Sequence, residues 1–382
     1  MIASYENHRN VRLLTNGQES FKRITQQIRQ AKKSVHINMF IWRDDEIGNH
    51  VGRELLAAAD RGVEVSISKD KLGSVFEKAE ENGQSFFHKD FNVRLWLKQK
   101  AINNFYPTLG EAARCKQEPN ALVSSILVHK NIHVDKDRIK GDHSKYFIFD
   151  DKALIIGGMN IETKAVHHDV NGTKWNDYII EITGKRSIYK LKAELNGGKQ
   201  HDRNSWVEFV FNTKDKSRRF EIKPKILELL SSARKTVYIE MAYFGDTDIT
   251  NKIIEIANAG IRVTILLPKR ANLQTDLNHK VMKHILTKTS GRANIYCCRN
   301  MIHAKMMYID EKIMLMGSAN LHRQTMEHLS ELDVLVHGEN LPFVDLMRES
   351  TEHRMSGSER ISDVAEIRFS RFRAFLESLV CS

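Results

Sequence analysis

The chain has 382 residues, with 59 Lys and Arg against 48 Asp and Glu, and a formal net charge of +11. A pI near 9.3 suits a polyanionic partner, and anionic phospholipid surfaces and nucleic acids meet that requirement equally. The sequence has no run of 18 or more apolar residues, so no transmembrane helix is expected.

Other classes are also disfavoured. Met1-Ile-Ala-Ser-Tyr5 lacks a basic region followed by an apolar stretch, so no secretory signal is expected. Cys115, Cys297, Cys298 and Cys381 have neither metal-ligand spacing nor the pattern of a disulfide framework. They fit a reducing cytoplasm.

In chain order, Ala31-Lys-Lys-Ser-Val-His-Ile-Asn-Met39 reads as a helix end followed by a strand. Ala58-Ala-Asp-Arg-Gly62-Val-Glu-Val65 reads as a helix, a glycine stop and a second strand. Both phrases return later as Ala233-Arg-Lys-Thr-Val-Tyr-Ile-Glu-Met241 and Ile256-Ala-Asn-Ala-Gly260-Ile-Arg-Val263. Asn92-Val-Arg-Leu-Trp96 matches Asn294-Ile-Tyr-Cys-Cys298 more weakly and is expected to be the third strand.

Gly62 to His143 spans 81 residues and Gly260 to His303 only 43, so the first half carries an insertion of about 38 residues. The Asn92 match confines it to roughly 98–140. It is expected either to shape the substrate entrance or to be a surface elaboration. His129 and His133 within it stand at helical spacing, but beside Lys130 and Val134 they read as solvated rather than metal-ligating.

The insertion leads to His143-Ser-Lys145, Asp150 and Gly157-Gly-Met-Asn160. The same phrase recurs as His303-Ala-Lys305, Asp310 and Gly317-Ser318-Ala-Asn320, with identical spacing. The residues from His143 to Phe149 and from His303 to Ile309 are apolar and β-favouring, so both read as buried strands. Side chains two apart share a strand face, which places each histidine beside its lysine. Asp150 and Asp310 end these strands at a tight turn. Ala153–Ile156 and Ile313–Met316 supply the hairpin partners that bring glycine and asparagine back to the histidine end.

These groups suit a phosphodiester. Lys145, Lys305, Asn160 and Asn320 would hold phosphate oxygens, with close backbone approach at Gly157 and Ser318. An imidazole titrates near working pH and serves as nucleophile or proton carrier. A protonated lysine within the motif repels a cation, so neither metal nor other cofactor is expected. Two half-motifs imply one site, with His143 and His303 on opposite sides of a single phosphate.

Each half therefore reads helix, strand, helix, strand, helix, strand, then the motif hairpin. The expected fold class is α/β: two homologous sandwich halves related by a pseudo-twofold axis and sharing one active site. The halves are assigned to 1–200 and 201–382, with the polar stretch from Gly197 to Lys216 between them.

The paired His-x-Lys-x4-Asp phrases, each followed by Gly-x-x-Asn, resemble the phospholipase D superfamily over about residues 11–345. Within it, Asp45-Glu-Ile-Gly48, Asp70-Lys-Leu-Gly73-Ser74, Trp175-Asn-Asp177 and Gly317-Ser-Ala-Asn-Leu321 with Glu331 downstream resemble bacterial cardiolipin synthases. The resemblance implies metal-independent phosphodiester transfer with His143 as nucleophile and His303 as general acid and base. It also implies that Asp177 and Glu331 orient the histidines. Gly158 stands where the first copy of the phrase commonly has serine, and Leu329 where many relatives carry asparagine.

The expected activity is transfer of a phosphatidyl group from one phosphatidylglycerol to another with release of glycerol. The alternatives are hydrolysis by water and a nuclease-like phosphodiesterase acting on nucleic acid. The expected partner is phospholipid at an anionic membrane surface, reached by a cytoplasmic, peripheral protein with no obligate protein partner. The segment Ile361–Leu379 sets Phe369, Phe372, Phe375, Leu376 and Leu379 among Arg368, Arg371 and Arg373. It reads as a basic amphipathic helix that either lies on a membrane or packs on its own core.

Overall fold

A computed structural model describes residues 10–106, 116–169, 172–198, 206–214, 218–338 and 342–380. Met1–Tyr5, Cys115, Cys381 and much of the stretch between the halves lie outside the described residues.

The first half contains β1 (Val11–Leu14), α1 (Gly17–Gln30), β2 (Ser34–Met39), α2 (Glu46–Asp60), β3 (Glu64–Lys69), α3 (Ser74–Ala79), α4 (Val93–Phe105), α5 (Ala121–Val128), β4 (Ile132–Asp135), β5 (Tyr146–Phe149), β6 (Ala153–Gly157), β7 (Trp175–Asn176), β8 (Ile179–Thr183) and α6 (Lys185–Leu195). The second half begins with β9 (Val207–Asn212), α7 (Ile222–Ser232), β10 (Thr236–Met241), α8 (Thr247–Asn258), β11 (Arg262–Pro268), α9 (Thr275–Thr289) and β12 (Asn294–Cys298). It continues through β13 (Met301–Ile302), β14 (Lys305–Ile309), β15 (Ile313–Gly317), α10 (Arg323–Glu327), β16 (Glu331–His337), α11 (Pro342–Ser356), β17 (Ser358–Ile361) and α12 (Arg371–Val380).

The duplication is visible in the sheets. Among the described residues the first sheet runs β1-β8-β6-β5-β2-β3-β4, and the second runs β9-β16-β15-β14-β10-β11-β12 with β17 added at its end. In each, three strands lie parallel (β2, β3, β4 and β10, β11, β12) and the motif hairpin joins them antiparallel. Gly62 and Gly260 end α2 and α8 at φ +89 and +96, a left-handed stop that glycine adopts without strain.

Strand alternation sorts the cores. Phe147 and Phe149 join α1 and α2 in one apolar cluster, and Met307 and Ile309 join α7, α8 and α9 in another. The residues between them, Ile148, Met306 and Tyr308, face a third cluster where the two sheets pack on each other. α6 and α11 add Ile188, Leu191, Val344 and Met347 to this central layer. The result is helices, sheet, sheet, helices.

Two expectations are corrected. Asn92 does not open a strand: its side chain accepts from Leu95 N at 3.1 Å and caps α4. The strand equivalent to β12 is β4, so the extra residues lie between β3 and β4, within 70–131, which overlaps the expected 98–140 but begins earlier and ends before β4. The C-terminal helix is also shorter than expected. Ser358–Ile361 is a strand pairing with β12, and the helix starts only at Arg371. His129 sits near Asp60, at 3.3 Å, and His133 lies in β4.

Candidate active site

The segment before each motif lysine crosses to the other half. Asp142 bridges to Ser330, and His143 N donates to Ser330 O at 2.8 Å. In the same way β13 pairs with β7, and His303 N donates to Asn176 O at 2.8 Å. Each histidine is thereby fixed against the residue that precedes the other half's acid.

The acids are exchanged. His143 Nδ1 lies 3.0 and 3.2 Å from the two oxygens of Glu331, and His303 Nδ1 lies 2.7 Å from Asp177 Oδ2. An Nδ1–H donating to a carboxylate fixes the tautomer and leaves the lone pair on Nε2. Both histidines line one cavity of about 460 Å³, together with Asn160 and Asn320.

Lys145 and Lys305 are buried next to the cavity residues rather than among its lining, and each ammonium donates to its own histidine's carbonyl. Lys305 Nζ is also 3.2 Å from His303 Nε2. Burial pushes Lys145 down to about 7 and Lys305 down to about 8, against the pull of nearby carboxylates. Burial and then the neighbouring ammonium groups hold both histidines below the ordinary imidazole value. Burial drives Glu331 up to about 8, opposed by Lys145, the Ser318 hydroxyl and Lys305. The His143–Glu331 pair therefore resists full charge separation.

The glycines permit close packing. A Cβ on Gly157 would meet Tyr178 O at 2.7 Å, so no side chain fits where β6 turns. One on Gly317 would meet Asp333 Cα at 2.6 Å. Ser318 donates its hydroxyl to Glu331. At the equivalent Gly158 a Cβ would stand 3.1 Å from Lys305 Cδ and 3.2 Å from Asp177 Oδ2, and Asp177 Oδ1 instead accepts from Tyr178 N at 2.8 Å.

Asp150 and Asp310, grouped with the catalytic residues from their place in the motif, are not in the cavity. Asp150 accepts from the backbone N–H groups of Lys32, Lys33 and Ser34 at 2.7–3.1 Å. Asp310 does the same for Arg234, Lys235 and Thr236 at 2.7–2.8 Å. They sit at the far ends of the motif strands and pin the starts of β2 and β10.

Several cavity residues escape the motif. Asn160-Ile-Glu162 and Asn320-Leu-His322 place Glu162 and His322 at equivalent positions, both lining the cavity. The opposing pulls of burial and of Lys164 and Arg43 leave Glu162 low, at about 2. Burial, then His143 and Lys305, push His322 down to about 3. Glu162 is thus ionised within ion pairs to Arg43 at 2.8 Å and Lys164 at 3.5 Å, while His322 is held neutral. Lys164 is held by Glu80 at 2.6 Å and lies 4.0 Å over the Trp175 ring. Phe40 meets His143 edge-on at 4.7 Å and Trp175 lies against His303 at 5.2 Å. The shared offset of two from each asparagine was the one sequence signal for Glu162 and His322. Leu329 also lines the cavity, extending an apolar wall formed by Leu72, Val75, Phe76, Ile102 and Phe105.

The family model described as "Cardiolipin synthase, PLD-like domain" matches residues 24–197 and 226–355. The chain belongs to this family. It is 26% identical to cardiolipin synthase 1 of Bacillus anthracis over 394 residues, covering 92% of this chain and 69% of that one. Cardiolipin synthase of Staphylococcus aureus (strain Mu50) is 22% identical over 368 residues, covering 90% and 68%. Among solved structures, phosphatidylserine synthase of Haemophilus influenzae Rd KW20 superposes with a TM-score of 0.70 at 16% identity, over 97% of this chain and 92% of that one. Polyphosphate kinase of Porphyromonas gingivalis gives 0.55 at 11% identity, over 97% and 53%. The fold is that of the phospholipase D superfamily, and the chain is an enzyme of it. Among the described residues no helix is long and apolar enough to cross a membrane.

Proposed function

We propose that the protein is a phosphatidyltransferase that joins two phosphatidylglycerol molecules into cardiolipin and releases glycerol, working peripherally on an anionic membrane surface. One observation carries the reading. Two imidazoles from different halves, each with Nδ1 committed to the other half's carboxylate, line the same partly apolar cavity.

The lone pair of His143 Nε2 attacks phosphorus. The bond from phosphorus to the glycerol oxygen breaks in line, and that oxygen takes a proton from His303 Nε2. The hydroxyl of a second phosphatidylglycerol then gives its proton to His303 while its oxygen attacks phosphorus. The P–N bond breaks and its electron pair returns to His143. Lys145, Lys305, Asn160 and Asn320 stabilise the phosphoryl oxygens.

The two ends differ in a way that suits this division of labour. Burial, then Lys145 and Lys305, hold His143 below the ordinary imidazole value, which keeps it neutral as a nucleophile must be. At His303, hydrogen bonding to Asp177 offsets part of the effect of burial and Lys305, and that carboxylate would stabilise the imidazolium when His303 carries the proton. The apolar wall through Leu329 favours a lipid acceptor over water.

Purified protein given phosphatidylglycerol vesicles in the presence of a chelator is expected to form cardiolipin and glycerol. Phosphatidic acid as sole product would make it a hydrolase, and cleaved oligonucleotide beside untouched lipid would make it a nuclease. His143→Ala and His303→Ala should each abolish turnover, and near-normal activity in either would refute the two-histidine scheme.

A further inference from the structure

α4 is built inside out. At four-residue intervals Leu95, Gln99 and Asn103 turn toward the protein, so two amides occupy the inner face. Gln99 Nε2 donates to Lys78 O at 2.9 Å, whereas neither amide atom of Asn103 has a hydrogen-bond partner among the described residues. Facing outward are Val93, Trp96 and Leu97, preceded by Phe91, with exposures of 40–72%. A helix resting on its own core shows the reverse pattern.

α12 meets the C-terminal end of α4 and also exposes apolar side chains. Ala374 and Glu377 are buried while Phe372 and Phe375 are 70% and 54% exposed. The helices meet where the Arg373 guanidinium lies 5.6 Å over the Phe105 ring and Tyr106 Oη donates to Glu377 at 3.4 Å. Neighbouring apolar side chains exposed together mark an interaction surface rather than scattered exposure.

The exposed charges on the two helices themselves are cationic, although Asp276 of α9 pairs with Arg373 at 3.3 Å and exposed Asp90 precedes Phe91. Arg94, Lys98 and Lys100 on α4 and Arg371 and Arg373 on α12 are exposed, α4 has no acidic residue, and the one acid of α12, Glu377, is buried. A second copy of this face would bring cations against cations, whereas a negatively charged lipid surface complements them. The face is also continuous with the cavity, because Lys98, Ala101, Ile102 and Phe105 of α4 line it.

We infer that α4 and α12 together form the face that docks on an anionic bilayer, setting the cavity mouth at headgroup depth so that a diacyl phospholipid enters along α4. This rests on the phosphatidyl-transfer reading and names the surface through which that substrate arrives.

The test uses the full chain and two double variants outside the cavity lining, Trp96→Ser with Leu97→Ser and Phe372→Ser with Phe375→Ser. Wild type is expected to co-sediment with phosphatidylglycerol vesicles and not with phosphatidylcholine vesicles. Each double variant should bind about tenfold or more weakly and lose vesicle turnover in proportion. On short-chain phosphatidylglycerol dispersed below its aggregation concentration, the variants should match wild type within about twofold. Undiminished vesicle binding by both variants overturns the docking face. So does a wild-type dimer that the substitutions dissociate. Wild type that binds vesicles but turns over neither form of the lipid refutes the transferase reading and leaves the docking face to be judged on binding.

Discussion

At the residue scale, the groups that matter are the two carboxylates standing behind the imidazoles. Asp177→Asn and Glu331→Gln preserve shape, remove the negative charge and replace one acceptor oxygen by an NH2 donor, which can select the other tautomer. Each is expected to lower kcat by about 10²–10⁴-fold with a much smaller change in KM, measured on phosphatidylglycerol at saturating concentration. A KM effect alone would reassign them to binding. A second expectation follows from the buried ammonium groups. Lys145 and Lys305 lie near 7 and 8 because burial disfavours their charge, and an oxyanion in the cavity would restore it. Anion binding should therefore take up protons, and affinity should fall as pH rises through both values. Titration calorimetry with tungstate is expected to show affinity weakening about tenfold or more between about pH 6.5 and 9. An affinity independent of pH would mean that the lysines do not meet the phosphate.

At the scale of elements, the motif strands carry chemistry at one end and architecture at the other. A strand advances about 3.3 Å per residue, so an acid seven positions beyond its histidine cannot share the histidine's substrate. This is why Asp150 and Asp310 read as catalytic in sequence and stand instead on backbone N–H groups. Burial raises Asp150 and Asp310, but the three N–H donors and a nearby lysine outweigh it and leave both below the usual carboxylate value. Their stabilisation is therefore present above the unfolded value and lost as pH falls through the acid range. Asp150→Ala or Asp310→Ala should cost about 1–3 kcal/mol in denaturant unfolding, while activity per folded molecule changes little. The histidines, lysines, asparagines and the strand order around them were legible because the duplication repeats each offset. α4 was not, since Asn92-Val-Arg-Leu-Trp carries a strand-like alternation that the Asn92 cap overrides. Nor was the buried set of Arg43, Glu80, Glu162 and Lys164, whose members come from separate segments with no shared period.

At the scale of the whole molecule, the halves bury a common apolar layer and complete each other's site. Residues 1–200 or 201–382 produced alone should be inactive and poorly soluble, because each would expose the central layer and present an imidazole without its acid. Co-expressed, the two pieces are expected to purify together and to recover turnover. Activity in either piece alone would contradict a site made jointly.

The crossed acids also constrain how such a chain can change. The partners of His303 and His143 lie 126 and 188 positions away, each in the opposite repeat. Neither repeat is free to specialise alone, since drift at Asp177 is felt by the later copy and drift at Glu331 by the earlier one. The two repeats therefore work as a single unit, in which a change at either carboxylate must be matched by one in the other repeat.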